Sequence, residues 1–292
     1  MTTPVRTRVP AQVLVLTSII SVQVGAAIGR SIFDEIGAAG VTFLRVGIAA
    51  AILWVALRPA VRSWSRASWR AAVALGVTMA AMNLLFYLSL RTVPLGIAVT
   101  VEFLGPLTLA LVQTRRAIDL LWALLAGGGV ALLGWGSSGD VPVSGLLLAG
   151  AAGVFWAIYI VASSRLGRVL PGTDGLTVSL TVAAMLVAPF GLGGAIDAVD
   201  EPRVLLAATG VALLSSIIPY GLELEALRHL STRVFGVLMS LEPAAGAVAG
   251  LVVLGQSLDA RELAALAVVS VASLGVTLGR TTAEPVPLQP LE

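Results

Sequence analysis

Long stretches without a charged side chain limit most what this chain can fold into. Seven segments are free of Asp, Glu, Lys and Arg: 11–29, 71–90, 120–139, 141–164, 175–196, 204–222 and 263–279. A helix needs about 20 mostly apolar residues to cross the hydrocarbon core of a bilayer. Three further segments hold one interior charge each: 38–57 with Arg45, 92–114 with Glu102 and 234–258 with Glu242. The sequence therefore predicts an all-α membrane protein with ten transmembrane helices.

The composition supports this interpretation and excludes several kinds of protein. Only 12% of the residues are charged, against about 25% in a soluble domain. Cysteine is absent and His229 is the one histidine, which excludes thiolate and His-cluster metal sites. The aspartates lie in predicted loops or near span ends, so an intramembrane aspartyl enzyme is also excluded. We expect neither enzyme activity nor a cofactor. The sequence contains no Walker motif, so we do not expect ATP-driven transport by this chain alone.

The arginines predict the orientation. All 18 basic residues are arginine. With a cytoplasmic N-terminus, 13 of them fall in cytoplasmic segments and four outside, and Arg45 lies within the membrane. Because cytoplasmic loops are enriched in basic residues, both termini are predicted in the cytoplasm of a multi-pass inner-membrane protein. The small excess of basic over acidic residues then reflects arginines that anchor the cytoplasmic face of the membrane, and we expect no nucleic-acid partner.

The two halves of the chain resemble each other. A shift of 137 residues places Ser89-Leu90-Arg91 on Ala226-Leu227-Arg228 and Pro106 on Pro243. Five spans per half is an odd number, so the copies would lie in opposite orientations, a common plan in transporters. This predicts a first repeat over 1–139, an inverted second repeat over 140–280, and a disordered cytoplasmic tail over 281–292.

Several motifs resemble a known family. They are the runs 82–89 (MNLLFYLS), 93–99 (VPLGIAV), 102–107 (EFLGPL), 156–160 (WAIYI), 218–220 (IPY) and 232–243 (TRVFGVLMSLEP). The chain is similar to the drug/metabolite transporter superfamily, in its EamA-type ten-helix branch, and within it to the bacterial threonine/homoserine exporters. One departure is Leu254-Gly255-Gln256, where such proteins usually show Leu-Gly-Glu.

The resemblance implies a function. It implies two inverted five-helix bundles around a central substrate cavity, with export of a small, amino-acid-like molecule coupled to protons. Related proteins export other metabolites or drugs, so a multidrug or other metabolite exporter is an alternative. A non-transporting structural or signalling membrane subunit is a further alternative from a different class. The expected partners are the substrate, protons and the lipid bilayer.

Three polar side chains are predicted at one depth. Arg45, Glu102 and Asn83 each lie seven or eight residues from the outer end of their spans, or roughly 10–12 Å below the outer surface. We expect Glu102 to face Arg45 or water, since an isolated charge is costly at this depth. Arg45 could bind a substrate carboxylate and Glu102 an ammonium group. A structural ion pair between spans two and four is the alternative.

Glu242 and two prolines are further candidates. Glu242 is near the middle of span nine, where a carboxyl group could carry a proton, or could instead bond to backbone freed by Pro243. Pro106 and Pro243 each remove a helical hydrogen bond. Broken helices at matching places in two repeats point to a binding site, although simple packing kinks remain an alternative.

Other polar and aromatic residues could line the cavity. Glu223 and Tyr220 could guard its inner mouth, Trp156 and Tyr159 could form an aromatic wall or serve packing, and Gln23 is polar at mid-depth in span one. Gly246 and Gly250 form a GxxxG pattern that permits close helix contact. That contact could be within the monomer or in a homodimer, so both states remain open.

Overall fold

The computed structural model describes residues 10–112, 117–134, 141–170, 172–227, 229–230, 235 and 238–279. Within these ranges every regular element is helical and none is a strand, which confirms the all-α prediction. The predicted tail 281–292 lies outside the described residues.

The helices follow the apolar segments of the sequence. They are α1 (Ala11–Ser31), α2 (Phe33–Leu57), α3 (Arg66–Ser89), α4 (Leu95–Glu102), α5 (Leu104–Val112), α6 (Ala117–Gly134), α7 (Val143–Val169), α8 (Asp174–Asp197), α9 (Pro202–Ala212), α10 (Ile218–Leu227), α11 (Glu242–Leu254) and α12 (Ala260–Gly279). Short 3₁₀ turns occupy Val61–Ser63 and Ala198–Asp200, and a π-helical turn, Leu213–Ile217, joins α9 to α10.

Six helical stretches are long and apolar enough to cross a membrane. They are Ala11–Ser31, Phe33–Leu57, Arg66–Ser89, Val143–Val169, Asp174–Asp200 and Pro202–Glu223. Shorter apolar helices cover Leu95–Leu109 and Glu242–Leu254. The part of the chain described by the structure thus contains a bundle of membrane-spanning helices, and the count of ten stays a prediction.

Local sequence signals set several helix ends. Ser65 accepts a hydrogen bond from the backbone N–H of Ser68 and caps α3. Asp259 and Glu262 exchange backbone-to-carboxylate bonds of 2.7 and 2.8 Å at the start of α12, the reciprocal arrangement of a capping box. Gly255 ends α11 with a φ of 66°, a left-handed conformation that favours glycine. These caps satisfy backbone groups that a helix end leaves open.

The helices pack in a pattern that crosses the middle of the chain. α2 lies against α8, α3 lies against α7 and α8, and α1 lies against α10 and α11. α4 packs on α11 and α7, and α6 packs on α12. Almost every extensive contact therefore joins a helix of the first half to a helix of the second. The space between the halves is where the polar residues meet.

Candidate functional site

Arg45 on α2 is held by the π-helical turn. Its side chain is buried, and Nη2 donates to the backbone oxygen of Ser215 at 2.6 Å while Nε donates to Oγ of Ser216 at 3.2 Å. The guanidinium carbon lies 5.5 Å from the ring centre of Tyr87 on α3, within cation–π range. A guanidinium has five N–H donors, so these two bonds leave further donors for a ligand.

The ion pair between Arg45 and Glu102 is not formed. Arg45 and Glu102 are both described, and no ion pair joins them among the described residues. The described residues give no direct bond for a structural lock between spans two and four, because Arg45 bonds to the turn between α9 and α10. The Arg45 charge still acts electrostatically on the Glu102 carboxyl group, so the two groups share one region.

Glu102 and Glu242 lie at one level of the structure. Glu102 ends α4 and Glu242 begins α11, and both are buried. The two helices run antiparallel, since Leu95 lies against Gly250 and Val99 lies against Gly246. Continuing that register by one turn brings Glu102 opposite the start of α11. The carboxyl groups are close enough for Glu102 to act electrostatically on Glu242.

The carboxyl groups of these two residues are buried and have no hydrogen-bonding partner among the described residues. Among the described residues, the closed-off polar side-chain atoms without a hydrogen bond are Gln23 Oε1, Tyr87 OH and Thr177 Oγ1. The oxygens of Glu102 and Glu242 are not in that set, and neither carboxyl group has a hydrogen bond in the described part of the chain. The alternative in which Glu242 bonds to backbone freed by Pro243 is not observed there.

Glu223 and two tyrosines extend the cluster. Ser18 on α1 donates to Oε1 of Glu223 on α10 at 2.6 Å. The rings of Tyr159 on α7 and Tyr220 on α10 have centres 6.4 Å apart. Both tyrosines and Glu223 are half-buried. Glu223 also acts electrostatically on Glu242, which links this group to the two carboxyl groups described above.

Asn83 and Trp156 take simpler roles in the structure. Asn83 is buried and its Nδ2 donates to the backbone oxygen of Met79, one turn earlier in α3. Trp156 packs edge-on against Phe103 with ring centres 5.6 Å apart. No described hydrogen bond or ion pair ties either residue to Arg45 or Glu102. They line or support the region without joining its charged groups.

Gln23 lies between three helices. It is on α1, is 2% exposed, and its Oε1 would stand 3.3 Å from a Cβ atom placed on Gly246 of α11. Val99 of α4 borders the same position of Gly246. Gln23 is therefore at the α1–α4–α11 junction, one helical turn from the level of Glu102 and Glu242.

The two prolines lie beside interruptions of the helices. α4 and α5 are separated at Phe103, and Pro106 cannot donate to the backbone oxygen of Glu102 because proline has no N–H. Pro243 is in the first turn of α11, directly after a turn at Ser240 and Leu241. Both prolines thus lie in a first helical turn, where they are well tolerated.

Comparisons with known proteins agree with a membrane transporter. Residues 143–278 match the EamA-like transporter family. The threonine/homoserine exporter RhtA of Escherichia coli (strain K12) is 40% identical over 268 residues, which is 91% of this chain and 90% of that protein. The same exporter from Salmonella typhimurium (strain LT2) is 40% identical over 267 residues, with the same shares of each chain. The chain belongs to the EamA-like transporter family.

The family membership settles the broad class. This EamA-like transporter is a multi-pass inner-membrane protein of the drug/metabolite transporter superfamily and not an enzyme. A solved crystal structure has the same fold, with a TM-score of 0.60 and 20% sequence identity, covering 92% of this chain and 96% of its own. That likeness supports the fold alone.

Sequence reasoning missed several residues of this transporter's site. Ser215 and Ser216 hold Arg45, Ser18 bonds Glu223, and Tyr87 lies under the Arg45 guanidinium. A pair of adjacent serines inside a charge-free span is a usable signal for the first two. No feature of the amino-acid sequence indicates that the Tyr87 ring lies against Arg45.

Gln256 also makes a contact that the sequence did not predict. Its Oε1 accepts from the backbone N–H of Leu95 at 2.9 Å, and so it caps α4 from the far end of α11. Gln256 stands where the family pattern usually has a glutamate, and its amide oxygen serves as the acceptor. This bond joins the two halves of the chain.

The described residues contain no evident metal site, and one of their cavities lies away from the charged groups. No group of three or more His, Cys, Asp or Glu that could hold a metal occurs among them. A cavity of about 460 Å³ lies at the turn between α1 and α2, bordered by Arg30, Asp34 and Arg91. None of the predicted site residues lines this cavity.

Proposed function

We propose that this protein is a secondary active transporter that exports small polar amino acids, such as threonine and homoserine, in exchange for protons. The observation that carries the proposal is the set of unpaired, buried charged groups between the two halves. Arg45 bonds only to serine groups among the described residues, while Glu102 and Glu242 have no bonded partner there. Ionisable residues at membrane depth that are not paired with one another are functional by default.

A zwitterion would complement these groups. The remaining N–H groups of Arg45 can donate to a substrate carboxylate, and Glu102 or Glu242 can accept from its ammonium group. A bound amino acid would thereby supply both charges with partners. The 40% identity to proteins named as threonine/homoserine exporters supports this substrate class.

Proton coupling is supported by the carboxyl groups. Glu242 lies within electrostatic range of both Glu102 and Glu223. Arg45 is a cation within range of Glu102. Ionised carboxylates repel each other in a weakly solvated region, so such a cluster favours sharing of protons. Binding of a cationic ammonium group and binding of a proton would then compete for the same carboxylate, which is a mechanism of exchange.

The architecture that we propose has ten spans in two inverted repeats, 1–139 and 140–280. The turn at Phe103 matches the turn at Ser240 under the same shift of 137 residues that aligns Pro106 with Pro243. The packing supports it as well. In the proposed repeat, α3 corresponds to α10 and α7 corresponds to α1, so the contact of α3 with α7 should have a counterpart between α10 and α1. Both contacts occur. Two similar halves can exchange conformations around a central site.

The arginine distribution supports cytoplasmic termini in this proposal. The Gln256 end of α11 is then on the outside, and Glu223 is nearer the cytoplasm. Glu223 with Tyr220 would stand at the inner mouth of the cavity, and Gln256 would close its outer end through Leu95. Export would carry the substrate from the Glu223 side to the Gln256 side.

The test is counterflow of labelled threonine and homoserine in proteoliposomes that contain the purified protein. We expect saturable counterflow that Arg45→Ala and Glu102→Gln abolish. Glu201→Gln is the matched control, because Glu201 is an exposed carboxyl group in the turn before α9. Undiminished counterflow in both site variants would refute the assigned site. A panel of unlabelled metabolites and drugs as competitors separates amino-acid export from multidrug export.

Proton coupling has its own measurement. An imposed pH gradient should drive threonine accumulation in the same vesicles, and Glu242→Gln should remove the gradient-driven part. Accumulation that does not respond to the pH gradient in the unmodified protein would contradict exchange with protons.

A further inference from the structure

The amide of Gln23 is a buried group without a hydrogen-bonding partner. The residue is 2% exposed, and its Oε1 is closed off from solvent with no donor near it. No hydrogen bond involves its amide nitrogen either, among the described residues. Buried polar side chains nearly always have a partner, so an unsatisfied amide between three helices points to a ligand that supplies one.

The neighbours of Gln23 keep its amide in place. Gly246 on α11 leaves room for it, since a Cβ there would lie 3.3 Å from Oε1 and 3.1 Å from Cγ2 of Val99. Contacts this short force the neighbours to move. Gly246 and Glu242 are one helical turn apart on α11, and Val99 and Glu102 are one turn apart on α4. The amide thus lies one turn beyond the two carboxyl groups.

Ser215 connects Arg45 to Val22, the residue that precedes Gln23. Oγ of Ser215 donates to the backbone oxygen of Val22 at 3.3 Å, and the Ser215 backbone oxygen accepts from Arg45 at 2.6 Å. Three kinds of group therefore occupy neighbouring levels between the halves. They are a guanidinium, two carboxyl groups and a neutral amide that offers both an acceptor and donors.

We propose that Gln23 determines specificity by hydrogen bonding to the side-chain hydroxyl of the amino acid. This inference rests on the proposed transport of amino acids and names the substrate class for the same site: short amino acids that carry a hydroxyl group. A hydroxyl is both donor and acceptor, and so is an amide. Rotation of the amide by 180° exchanges its oxygen and nitrogen, and either arrangement can bond to a hydroxyl group.

The site would discriminate between threonine and valine because an apolar substrate side chain leaves the Gln23 amide without a hydrogen-bonding partner. Valine has nearly the shape of threonine but has a methyl group in place of the hydroxyl. With valine bound, the Gln23 amide stays without a partner in a water-poor position. Sites built to bond a hydroxyl reject analogues that lack one for this reason. One unsatisfied buried group corresponds to a preference of about 10-fold to 100-fold.

The experiment is a competition series against labelled threonine in proteoliposomes of the full chain. Threonine, homoserine and serine should inhibit uptake at concentrations at least about 10-fold lower than valine does. In Gln23→Leu the concentrations at which valine and threonine inhibit uptake should lie within about 3-fold of each other. Thr78→Val is the control, because Thr78 is also buried but already bonded to Leu75 within its own helix. It should keep the preference of the unmodified protein.

The possible outcomes separate the two proposals. If the unmodified protein transports no amino acid, the proposed function is refuted. If it transports threonine but valine competes equally well, the role of Gln23 is refuted while the function stands, and this result needs no variant to fold. A Gln23→Leu protein that transports threonine with its preference over valine unchanged also refutes the role.

Discussion

The contact between Gly153 and Glu102 gives a sharp test of how the site is built. Gly153 on α7 packs directly against the backbone oxygen of Glu102, and an added Cβ would overlap that oxygen and lie 3.1 Å from the Glu102 carbonyl carbon. Gly150 lies one turn earlier on the same helix, where an added Cβ would meet nothing closer than Val101 at 3.9 Å. The two glycines form a matched pair for alanine substitution.

The expected magnitudes follow from two opposing terms. Alanine is favoured over glycine inside a helix by about 0.5–1 kcal/mol, and this gain applies to both variants. Gly153→Ala also forces two backbones apart, and overpacking of this kind costs about 1–3 kcal/mol. The difference in the free energy of unfolding between the two variants isolates the second term. We expect Gly153→Ala to be less stable than Gly150→Ala by about 1–3 kcal/mol.

The measurement is unfolding in detergent followed by tryptophan fluorescence, with threonine counterflow measured on the same preparations. The chain has six tryptophans, and Trp156 lies on α7 against Phe103, next to Glu102. Gly153→Ala should also slow counterflow, because it displaces the backbone of Glu102, whereas Gly150→Ala should not. Equal stability of the two variants would show that α7 does not approach the backbone at Glu102 as closely as the structure places it.

Three further predictions concern single contacts. Arg45→Lys should reduce counterflow at least about 10-fold, because an ammonium lacks the guanidinium fork that donates to the π-helical turn; near-normal counterflow in this variant would contradict that geometry. Gln256→Leu should remove the cap of Leu95 and raise thiol labelling in a protein that also carries Leu95→Cys, with unchanged labelling as the contrary result. Asp259→Ala should destabilise the protein by about 1 kcal/mol through loss of the α12 cap, which unfolding in detergent would measure, with no effect on substrate preference.

Hydropathy alone locates the helical segments, because the bilayer limits what an apolar run of this length can form. Pro106 also predicts an interruption of the fourth segment, and the helix does separate three residues before it. The kink of α2 at Gly37, with a φ of 70°, has no comparable signal in the sequence. The apolar segment 38–57 begins directly after this glycine, and a glycine at such a boundary does not show whether the helix bends or ends there.

The candidate site is only partly predictable. Charge at membrane depth singles out Arg45, Glu102 and Glu242 in the sequence, since the cost of burial makes such residues conspicuous. Their partners cannot be predicted in the same way, because the sequence does not say which helices are neighbours. Arg45 shares one region with Glu102 as expected, but it bonds to Ser215, 170 positions along the chain, in a π-helical turn that composition does not reveal.

The seam between α4 and α11 is lined by small side chains. Gly96 meets Ala247 so closely that a Cβ on Gly96 would lie 2.7 Å from the Ala247 Cα, and Gly246 meets Val99. Glycine on one side of each of these contacts lets the two backbones approach closely, and the bond from Gln256 to Leu95 is the polar restraint described at the end of the seam. Bulky substitutions along this seam should therefore slow turnover while leaving the affinity for substrate intact.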